Sequence, residues 1–473
     1  MIDLIRKIFK SNIAIVTGLF FISLVILDLS FPIPEIKSYS KEIIASDGTI
    51  LSAYLSDDDK WRLRSTLDEI SPNLIKAIIQ KEDKWFLFHS GVNPLSIIRA
   101  LYDNAVSGER TSGASTITMQ VARMLEPKER NYFNKVLEIV RAFQIELHYS
   151  KKEILEMYVN LLPYGGNIEG VKAASYIYFS RPPKQLSLSQ AILLSVIPNN
   201  PNDLRLDRSI DGAVEKKNNL INKFIEDGIF NDDDLQDALK EPVNINRYSM
   251  PSYAPHFSYF VKNKYRGNKI KTTLNYKIQK TAENILWNYI NRVSSKGVTN
   301  GAVLIIDNKN SSVVGYCGSS NFYDEMNSGQ VNGITAVRSP GSTLKPVLYA
   351  YAFDKGILTP KMKLFDIPSD FNGYEPENYD LSYHGMVTAR FALANSLNIP
   401  AVDLLSKIGM EEFILLLSRS GFYEIEKNKN RLGLSMILGG CGVTLESLTR
   451  FYSSFGNGGM LRRLRYTVDE DRD

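Results

Sequence analysis

Residues 81–100 are KEDKWFLFHSGVNPLSIIRA, a charged and aromatic run that contains Glu82 and His89. Two further stretches follow it, GERTSGASTITMQVARML at 108–125 and NKVLEIVRAFQIELHYSKKEILEMYVN at 134–160. On its own, a glutamate such as Glu82 is usually a solvated carboxylate, and a histidine such as His89 is more often a structural donor than a catalyst. The ordered combination of the three stretches is therefore more informative than any single residue in them.

Composition sets broad limits on fold and function. The chain has 473 residues, of which 44% are hydrophobic and 23% are charged, so its length predicts about three folded domains. A net charge of +4 is too small to indicate nucleic-acid binding, although it is compatible with an anionic membrane surface. Cys317 and Cys441 form no CxxC pair, and the four histidines lie far apart, which argues against a structural zinc site.

The N-terminal segment predicts a membrane anchor. Residues 11–27 are uncharged and long enough to cross a bilayer core of about 30 Å. Positive charges precede them at positions 6, 7 and 10, which favours a cytoplasmic N-terminus and places the remaining chain across the membrane. The alternative is a cleaved signal peptide, but no small-residue cleavage pattern ends the apolar run. We therefore expect a transmembrane helix over 11–29.

Hydrophobic periodicity divides the rest of the chain into a helical part and a mixed part. Between about 71 and 230 the pattern is helical, and Val136, Val140 and Phe143 belong to one apolar helix face. From about Lys269 onwards, strands such as those in GAVLIIDNKNSSVVGYCG alternate with helices. We expect a mainly α domain followed by an α/β domain, with an Asp-Gly hairpin in KEIIASDGTILSAYLS before them.

Together with YGGNIEGVKAASYIYF at 164–179, the three stretches resemble the family 51 glycosyltransferases, the peptidoglycan polymerase domain of class A penicillin-binding proteins. The similar segment runs from about Trp61 to Asn202, and EDKWFLFHSG, GASTITMQ and YSKKEILEMYVN are its main motifs. The sequence segments GVNPLSIIRA, TMQVARMLEP and PYGGNIEGV are most similar to the penicillin-binding protein 1C branch. The resemblance implies a mainly α, lysozyme-like glycosyltransferase domain.

The activity implied by this resemblance is peptidoglycan polymerisation. The reaction joins C1 of a lipid-linked MurNAc to the GlcNAc 4-hydroxyl of lipid II and releases undecaprenyl pyrophosphate with inversion. The attacking hydroxyl needs a base, and the resemblance implies Glu82 in that role. Glu138 matches the second catalytic glutamate of the family, which organises cations around the pyrophosphate or binds a divalent metal, Mg²⁺ or Mn²⁺. The resemblance implies that the substrate-binding residues are Asp83, His89, Arg99, Ser115, Thr116, Gln120, Arg123, Lys135 and Arg141.

Two residues depart from the family pattern. Asn134 stands where an arginine is frequent before Lys135, and Gln190 stands where glutamate is common. We expect the first departure to weaken pyrophosphate binding and interpret the second as structural.

Both implied substrates carry polyprenyl tails, so we expect the cleft at the bilayer surface. Aromatic and apolar residues follow Glu82 and could face lipid there. The alternative, which we favour for Trp85 and Phe86, is that these side chains belong to the core.

Residues 339–346, SPGSTLKP, predict a second chemical site. In penicilloyl-serine transferases a nucleophilic serine precedes a lysine by one helical turn, and Ser342 and Lys345 fit this spacing. Ser396 and Asn398 in ANSLNIP match the Ser-x-Asn element of that family. On spacing alone, Ser342 could instead be an ordinary helix cap.

The third element of the penicilloyl-serine transferases, Lys-Thr-Gly on a strand, does not occur between Asn398 and Asp473. Because that strand helps to form the oxyanion site, we expect an incomplete transpeptidase-like domain with negligible transpeptidase activity. The resulting interpretation is a membrane-bound glycosyltransferase that carries this second domain. The alternatives are a non-catalytic lipid II-binding or wall-synthesis scaffold, or a fragment of a bifunctional enzyme.

The expected location is the bacterial inner membrane, with a single pass and with the catalytic domains in the periplasm. The expected partners are lipid II, the growing glycan strand, membrane lipid and other cell-wall synthesis proteins, without nucleic acid.

The expected segments are a cytoplasmic tail (1–10), the transmembrane anchor (11–29), a linker with a small β segment (30–60), the glycosyltransferase domain (61–235), an interdomain region (236–300) and the truncated transpeptidase domain (301–473).

Overall fold

The structure is a computed structural model, and it describes residues 28–36, 38–96, 115–129, 131–208, 210–243 and 246–470. The expected cytoplasmic tail and the expected anchor up to residue 27 lie outside these ranges. Within the described ranges, no helix combines the length and the apolar character that a membrane crossing requires.

The described residues form two compact units. The first contains the residues up to Glu42 and Ala53–Pro251, and the second contains Ile43–Ser52 and the residues from Ser252 onwards. An Asp47-Gly48 turn joins strand β1 (Lys41–Ile44) to strand β2 (Ile50–Tyr54), which confirms the expected hairpin. Gly48 has a φ of +90°, a left-handed conformation that glycine adopts without the steric cost of a Cβ.

The first unit is mainly helical. Its two short strands, β3 (Trp61–Arg62) and β4 (Ile168–Glu169), pair in parallel. Helix α1 packs against α6, and α2 packs against α3 and α4. The helices are α1 (Pro72–Glu82), α2 (Ile117–Leu125), α3 (Tyr132–His148), α4 (Lys151–Leu161), α5 (Val171–Phe179), α6 (Leu188–Val196), α7 (Ile210–Glu226) and α8 (Asp232–Lys240).

Side-chain caps fix where several of these helices begin. Thr116 caps α2 by accepting a hydrogen bond from the backbone N–H of Met119. Ser150 and Glu153 form a reciprocal capping box at the start of α4. Such caps satisfy N–H groups that have no partner within the helix and contribute roughly 1 kcal/mol each. The motif GASTITMQ, which carries the candidate residues Ser115 and Thr116, therefore also sets where α2 begins.

The apolar face of α3 is exposed. The expected helix is confirmed, but Val136, Val140 and Phe143 are 58%, 51% and 48% exposed. The core prediction is correct for Phe86, which is fully buried, and wrong for Trp85, which is 58% exposed. The ring of Trp85 instead packs edge-on against the ring of Phe88, which is itself 79% exposed.

The second unit mixes strands and helices. Strand β1 lies between β2 and β5 (Lys269–Lys271). Strands β6 (Val303–Asp307) and β7 (Ser312–Cys317) pair antiparallel, with Val303 opposite Cys317, as do β8 (Lys363–Asp366) and β9 (Gly385–Thr388). The helices are α9 (Pro255–Lys264), α10 (Tyr276–Val293), α11 (Lys345–Asp354), α12 (Ala389–Ala394), α13 (Asn398–Ile408), α14 (Met410–Arg419), α15 (Tyr423–Asn428) and α16 (Leu445–Ser453).

The core of the second unit lies around α11 and α13. Leu348 and Tyr349 of α11 are buried in the same cluster as Val402 and Leu405 of α13. Each such buried side chain contributes roughly 1.5–3 kcal/mol of transfer free energy. This packing fixes the start of α11, where the second candidate site lies. The expected order of a helical domain and an α/β domain is confirmed.

Candidate active site

Glu82 is the last residue of α1, and its carboxylate is held from two sides. One oxygen accepts a hydrogen bond from Gln120 Nε2 at 2.8 Å, and the other is bonded by the ammonium of Lys81. The hydroxyl of Tyr158 donates to Gln120 Oε1 at 3.3 Å. Burial raises the pKa of Tyr158 well above its ordinary value, so the phenol stays a donor. Helices α1, α2 and α4 thus converge on one carboxylate.

A second group of charged side chains lies on α3. Lys135 Nζ donates to Ser115 Oγ at 2.7 Å and to Glu138 Oε2 at 2.8 Å. Glu138 follows Lys135 by three residues, so both side chains lie on the same side of the helix. The structure therefore brings together Ser115, Lys135 and Glu138, each of which the sequence had singled out.

Glu82 and Ser115, one residue from each group, line one cavity, which we call the main cavity. It has a volume of about 390 Å³. Lys223 and Asp227, on and just after α7, line it as well. A carboxylate at one place and a hydroxyl bonded to a cation at another give the cavity two chemically different regions.

Asp83, His89 and Thr116 support the cavity through contacts with each other and with the backbone. His89 Nε2 lies 3.0 Å from both oxygens of Asp83, which also accepts from the backbone N–H of Ile117 at 3.1 Å. Thr116 Oγ1 donates to the carbonyl of Gly91 at 2.6 Å. The contacts of these side chains indicate that they hold the loop after α1 against the start of α2.

The three expected arginines are placed differently. Arg123 lines a separate cavity of about 360 Å³ with Arg62. Arg141 donates to the carbonyl of Phe31 at 2.6 Å. The structure does not bring these two guanidinium groups into the hydrogen bonds of the main cavity. Arg99 lies outside the described residues.

The two departures from the family pattern have local contacts. Asn134 Nδ2 donates to the carbonyl of Glu129 at 2.8 Å. Gln190 forms a capping box with Ser187 at the start of α6, which confirms its structural interpretation.

The second candidate site lies at the start of α11. Lys345 Nζ donates to Asn398 Oδ1 at 2.6 Å and to Ser396 at its carbonyl (2.6 Å) and its hydroxyl (3.3 Å). Burial lowers the pKa of Lys345 to about 8. The cap of α11 is Leu344, so Ser342 is not the helix cap that its spacing allowed. Ser342 lies in the short 3₁₀ turn immediately before α11.

Buried polar side chains that the sequence analysis missed support this second site. Asp366 is fully buried and accepts from Asn378 Nδ2 at 2.8 Å and from His384 Nδ1 at 2.9 Å. Asn378 Oδ1 in turn accepts from the backbone N–H of Asn398 at 2.8 Å. These residues are far apart in sequence and match no motif, so only the fold reveals their connection.

Lys81 was also missed by the sequence analysis. It donates to the carbonyl of Ser195 at 2.9 Å and to Asn199 Oδ1 at 3.0 Å, in addition to Glu82. The available signal was a lysine directly before the candidate base. That position alone does not predict Ser195 and Asn199, the partners of Lys81 that lie more than a hundred residues away.

Comparison with known families agrees with this architecture. The transglycosylase family matches residues 47–225, and the penicillin-binding protein transpeptidase domain matches residues 301–472. The chain therefore contains a transglycosylase domain followed by a penicillin-binding protein transpeptidase domain, which agrees with the expected class A penicillin-binding protein.

Individual relatives support the expected branch. The chain is 36% identical to penicillin-binding protein 1C of Escherichia coli over 439 residues, which cover 93% of this chain and 57% of the relative. It is 28% identical to penicillin-binding protein 1F of Bacillus subtilis, covering 91% of this chain and 62% of the relative. It is 26% identical to penicillin-binding protein 1A of Aquifex aeolicus, covering 91% of this chain and 73% of the relative. The chain thus spans less than two thirds of the length of the first two relatives.

The lowered pKa of Lys345 predicts a pH-dependent contribution to stability. A lysine with its ordinary pKa of 10.5 stays protonated in the unfolded chain, whereas the folded Lys345 loses its proton near pH 8. The unfolded state therefore binds more protons between these values, and the folded state gains stability as pH rises from 8 to 10.5. Thermal unfolding of the second unit should show this gain in the wild type and not in Lys345→Met. The exposed Lys361→Met is the matched control, and identical pH dependence in wild type and Lys345→Met would contradict the assignment.

Proposed function

We propose that this chain is a peptidoglycan glycosyltransferase that polymerises lipid II into glycan strands and releases undecaprenyl pyrophosphate. The observation that carries this proposal is the shared cavity, which Glu82 and Ser115 both line. Ser115 is bonded to Lys135, so one cavity offers a carboxylate base and a cationic site. Transfer of a sugar from a pyrophosphate to a hydroxyl needs both.

Glu82 is the proposed base. As the GlcNAc 4-hydroxyl of lipid II attacks C1 of the lipid-linked MurNAc, its proton passes to the Glu82 carboxylate. Two donors already hold that carboxylate, but a carboxylate has about four lone-pair positions, so it can still accept the substrate hydroxyl. The Glu82 side chain is 13% exposed, so the proton acceptor is partly shielded from water.

Lys135 and Ser115 are proposed to bind the leaving pyrophosphate. Negative charge builds up on the phosphate oxygens as the bond to C1 breaks, and a nearby ammonium and hydroxyl stabilise that charge. The Lys135 side chain is 39% exposed, so it can reach a ligand. Glu138 holds the ammonium at 2.8 Å and so sets its position.

A divalent cation, Mg²⁺ or Mn²⁺, fits this site only in combination with substrate. The described residues contain no group of three acidic, histidine or cysteine side chains that could hold a metal by themselves. Mg²⁺ in such sites is often bound by one or two carboxylates together with substrate phosphates, and Glu138 is the carboxylate available beside Lys135. When bound, the cation would neutralise phosphate charge.

The exposed face of α3 supports a location at the membrane surface. Val136, Val140 and Phe143 are about half exposed on the helix that also carries Lys135 and Glu138. An apolar helix face of this kind can lie among lipid headgroups and upper acyl chains. The pyrophosphate of a lipid-linked substrate would then reach Lys135 while its tail stays in the bilayer. We propose the periplasmic face of the bacterial inner membrane, with an N-terminal anchor.

In the second unit, Lys345 donates hydrogen bonds to both Ser396 and Asn398, the residues that resemble the motifs of the penicilloyl-serine transferases. No Lys-Thr-Gly occurs in the 473 residues, and negligible transpeptidase activity of this chain stays a prediction.

Replacement of the proposed base tests the glycosyltransferase function. Purified protein in detergent with labelled lipid II and Mg²⁺ should form glycan strands, and Glu82→Gln should lower turnover by roughly 10²–10⁴-fold because the amide cannot accept the proton. Lys135→Ala should lower turnover by a smaller factor, since other groups share the pyrophosphate.

The matched control is Glu215→Gln, a change at an exposed glutamate on α7. It should polymerise lipid II at the wild-type rate. Near-wild-type turnover by Glu82→Gln would contradict the assigned base. Binding of lipid II without any polymer in the wild type would favour the non-catalytic scaffold instead.

The membrane location predicts selective labelling of α3. In protein reconstituted into bilayers, a phospholipid with a photoactivatable group near its headgroup should label the peptide that contains Val140 and Phe143. The peptide that contains Ile285 of α10, which is 64% exposed, is the control and should be labelled much less. Equal labelling of both peptides, measured by mass spectrometry, would contradict the proposed orientation.

A further inference from the structure

We propose that Lys81 is a positioning residue for the Glu82 base, a role that rests on the proposed glycosyltransferase function. Lys81 and Glu82 both line the main cavity, and the side chain of each is 13% exposed. Their ion pair is thus neither a solvated surface contact nor a fully buried pair. The position of the Lys81 ammonium therefore affects the orientation of the Glu82 carboxylate, the proposed base.

The ammonium of Lys81 is fixed by three acceptors. Besides Glu82, it donates to the backbone carbonyl of Ser195 at 2.9 Å and to Asn199 Oδ1 at 3.0 Å. An ammonium has three N–H groups, so these contacts use all of them. Ser195 belongs to α6, and Asn199 ends the 3₁₀ turn that follows it. The position of the cation is therefore set by a part of the fold other than α1.

Lys81 and Gln120 hold opposite oxygens of the same carboxylate. Gln120 donates to Glu82 Oε2, and Tyr158 fixes Gln120 in turn. The terminal torsion of a glutamate is broad, so an unheld carboxylate would sample many orientations. Two anchored donors restrict it to one plane. The remaining lone pairs of Glu82 therefore keep one orientation while the acceptor hydroxyl binds.

A positioning role has a specific kinetic consequence. Loss of Lys81 leaves the cationic site at Lys135 and Ser115 in place, so substrate affinity should change little. The base, however, would lose its fixed orientation, and a misplacement of about 1 Å can cost roughly 10²-fold in rate. We expect kcat to fall by about 10–100-fold with KM within about threefold of the wild-type value.

Replacement and chemical restoration of the ammonium form the test. Lys81→Met removes the charge and keeps the length of the side chain, and Asn199→Ala removes one of the three acceptors and should lower kcat by a smaller factor. Lys216→Met, at an exposed lysine on α7, is the matched control and should keep wild-type kinetics. Thermal unfolding of each variant shows whether it is folded.

Lys81→Cys provides the restoration. The thiolate introduced by this substitution displaces bromide from 2-bromoethylamine, which forms a C–S bond and rebuilds a lysine-like side chain with an ammonium. Burial raises the pKa of the native thiols, Cys317 to about 12 and Cys441 to about 11, so both react slowly. Wild-type protein treated with the same reagent controls for any such reaction.

The expected result is a low kcat for Lys81→Met and untreated Lys81→Cys, an unchanged KM, and recovery of kcat after alkylation of Lys81→Cys. Wild-type kcat in a folded Lys81→Met would overturn the role of Lys81, and so would a loss expressed only in KM or a failure of alkylation to restore kcat. In each of these cases the proposed function still stands if the wild-type protein polymerises lipid II and Glu82→Gln strongly lowers that turnover. A wild-type protein that makes no glycan overturns the proposed function and this role together.

Discussion

The carboxylate of Glu82, held between Lys81 and Gln120, is the interaction on which the geometry of the candidate site depends. It lies at the end of α1, where the backbone leaves the helix and the side chain enters the main cavity. Its two donors are held in turn by other elements, Gln120 by Tyr158 of α4 and Lys81 by Ser195 of α6 and Asn199 after it. The arrangement therefore requires α1, α2, α4 and α6 to be packed together. The geometry of the site therefore depends on the packing of these helices.

The charged groups of the candidate site form two separate ion pairs. In the proposed function the Glu82 carboxylate accepts a proton and the Lys135 ammonium binds phosphate, so a direct ion pair between these two groups would occupy both of them. The structure instead pairs Glu82 with Lys81 and Lys135 with Glu138. Two ion pairs, each complete in itself, allow a base and an anion site to share one cavity. In the proposed function, the exposed apolar face of α3 would place that cavity at a lipid surface.

Local pattern predicted much of this arrangement, and long-range contacts account for the rest. Periodicity predicted the helical and mixed domains, and the Asp-Gly pair predicted the hairpin at Asp47. The resemblance to family 51 glycosyltransferases singled out Glu82, Gln120, Lys135 and Glu138, for which the structure gives the contacts Gln120–Glu82 and Lys135–Glu138. The sequence did not predict Lys81, because the acceptors of its ammonium are on a different helix and turn. It grouped Arg123 and Arg141 with the phosphate site, because charge alone does not show where a side chain points. Periodicity likewise indicated an apolar face on α3 but could not tell whether protein or lipid covers it.

The most direct measurement is a structure of this protein with a non-hydrolysable lipid II analogue in its cavity. We expect the GlcNAc 4-hydroxyl of the acceptor to lie within hydrogen-bond distance of Glu82, about 2.6–3.2 Å. We also expect the pyrophosphate of the donor to lie against Lys135 and Ser115. A pyrophosphate bound beside Glu82, or an acceptor hydroxyl that faces Glu138 with Glu82 out of reach, would contradict the proposed roles of these residues.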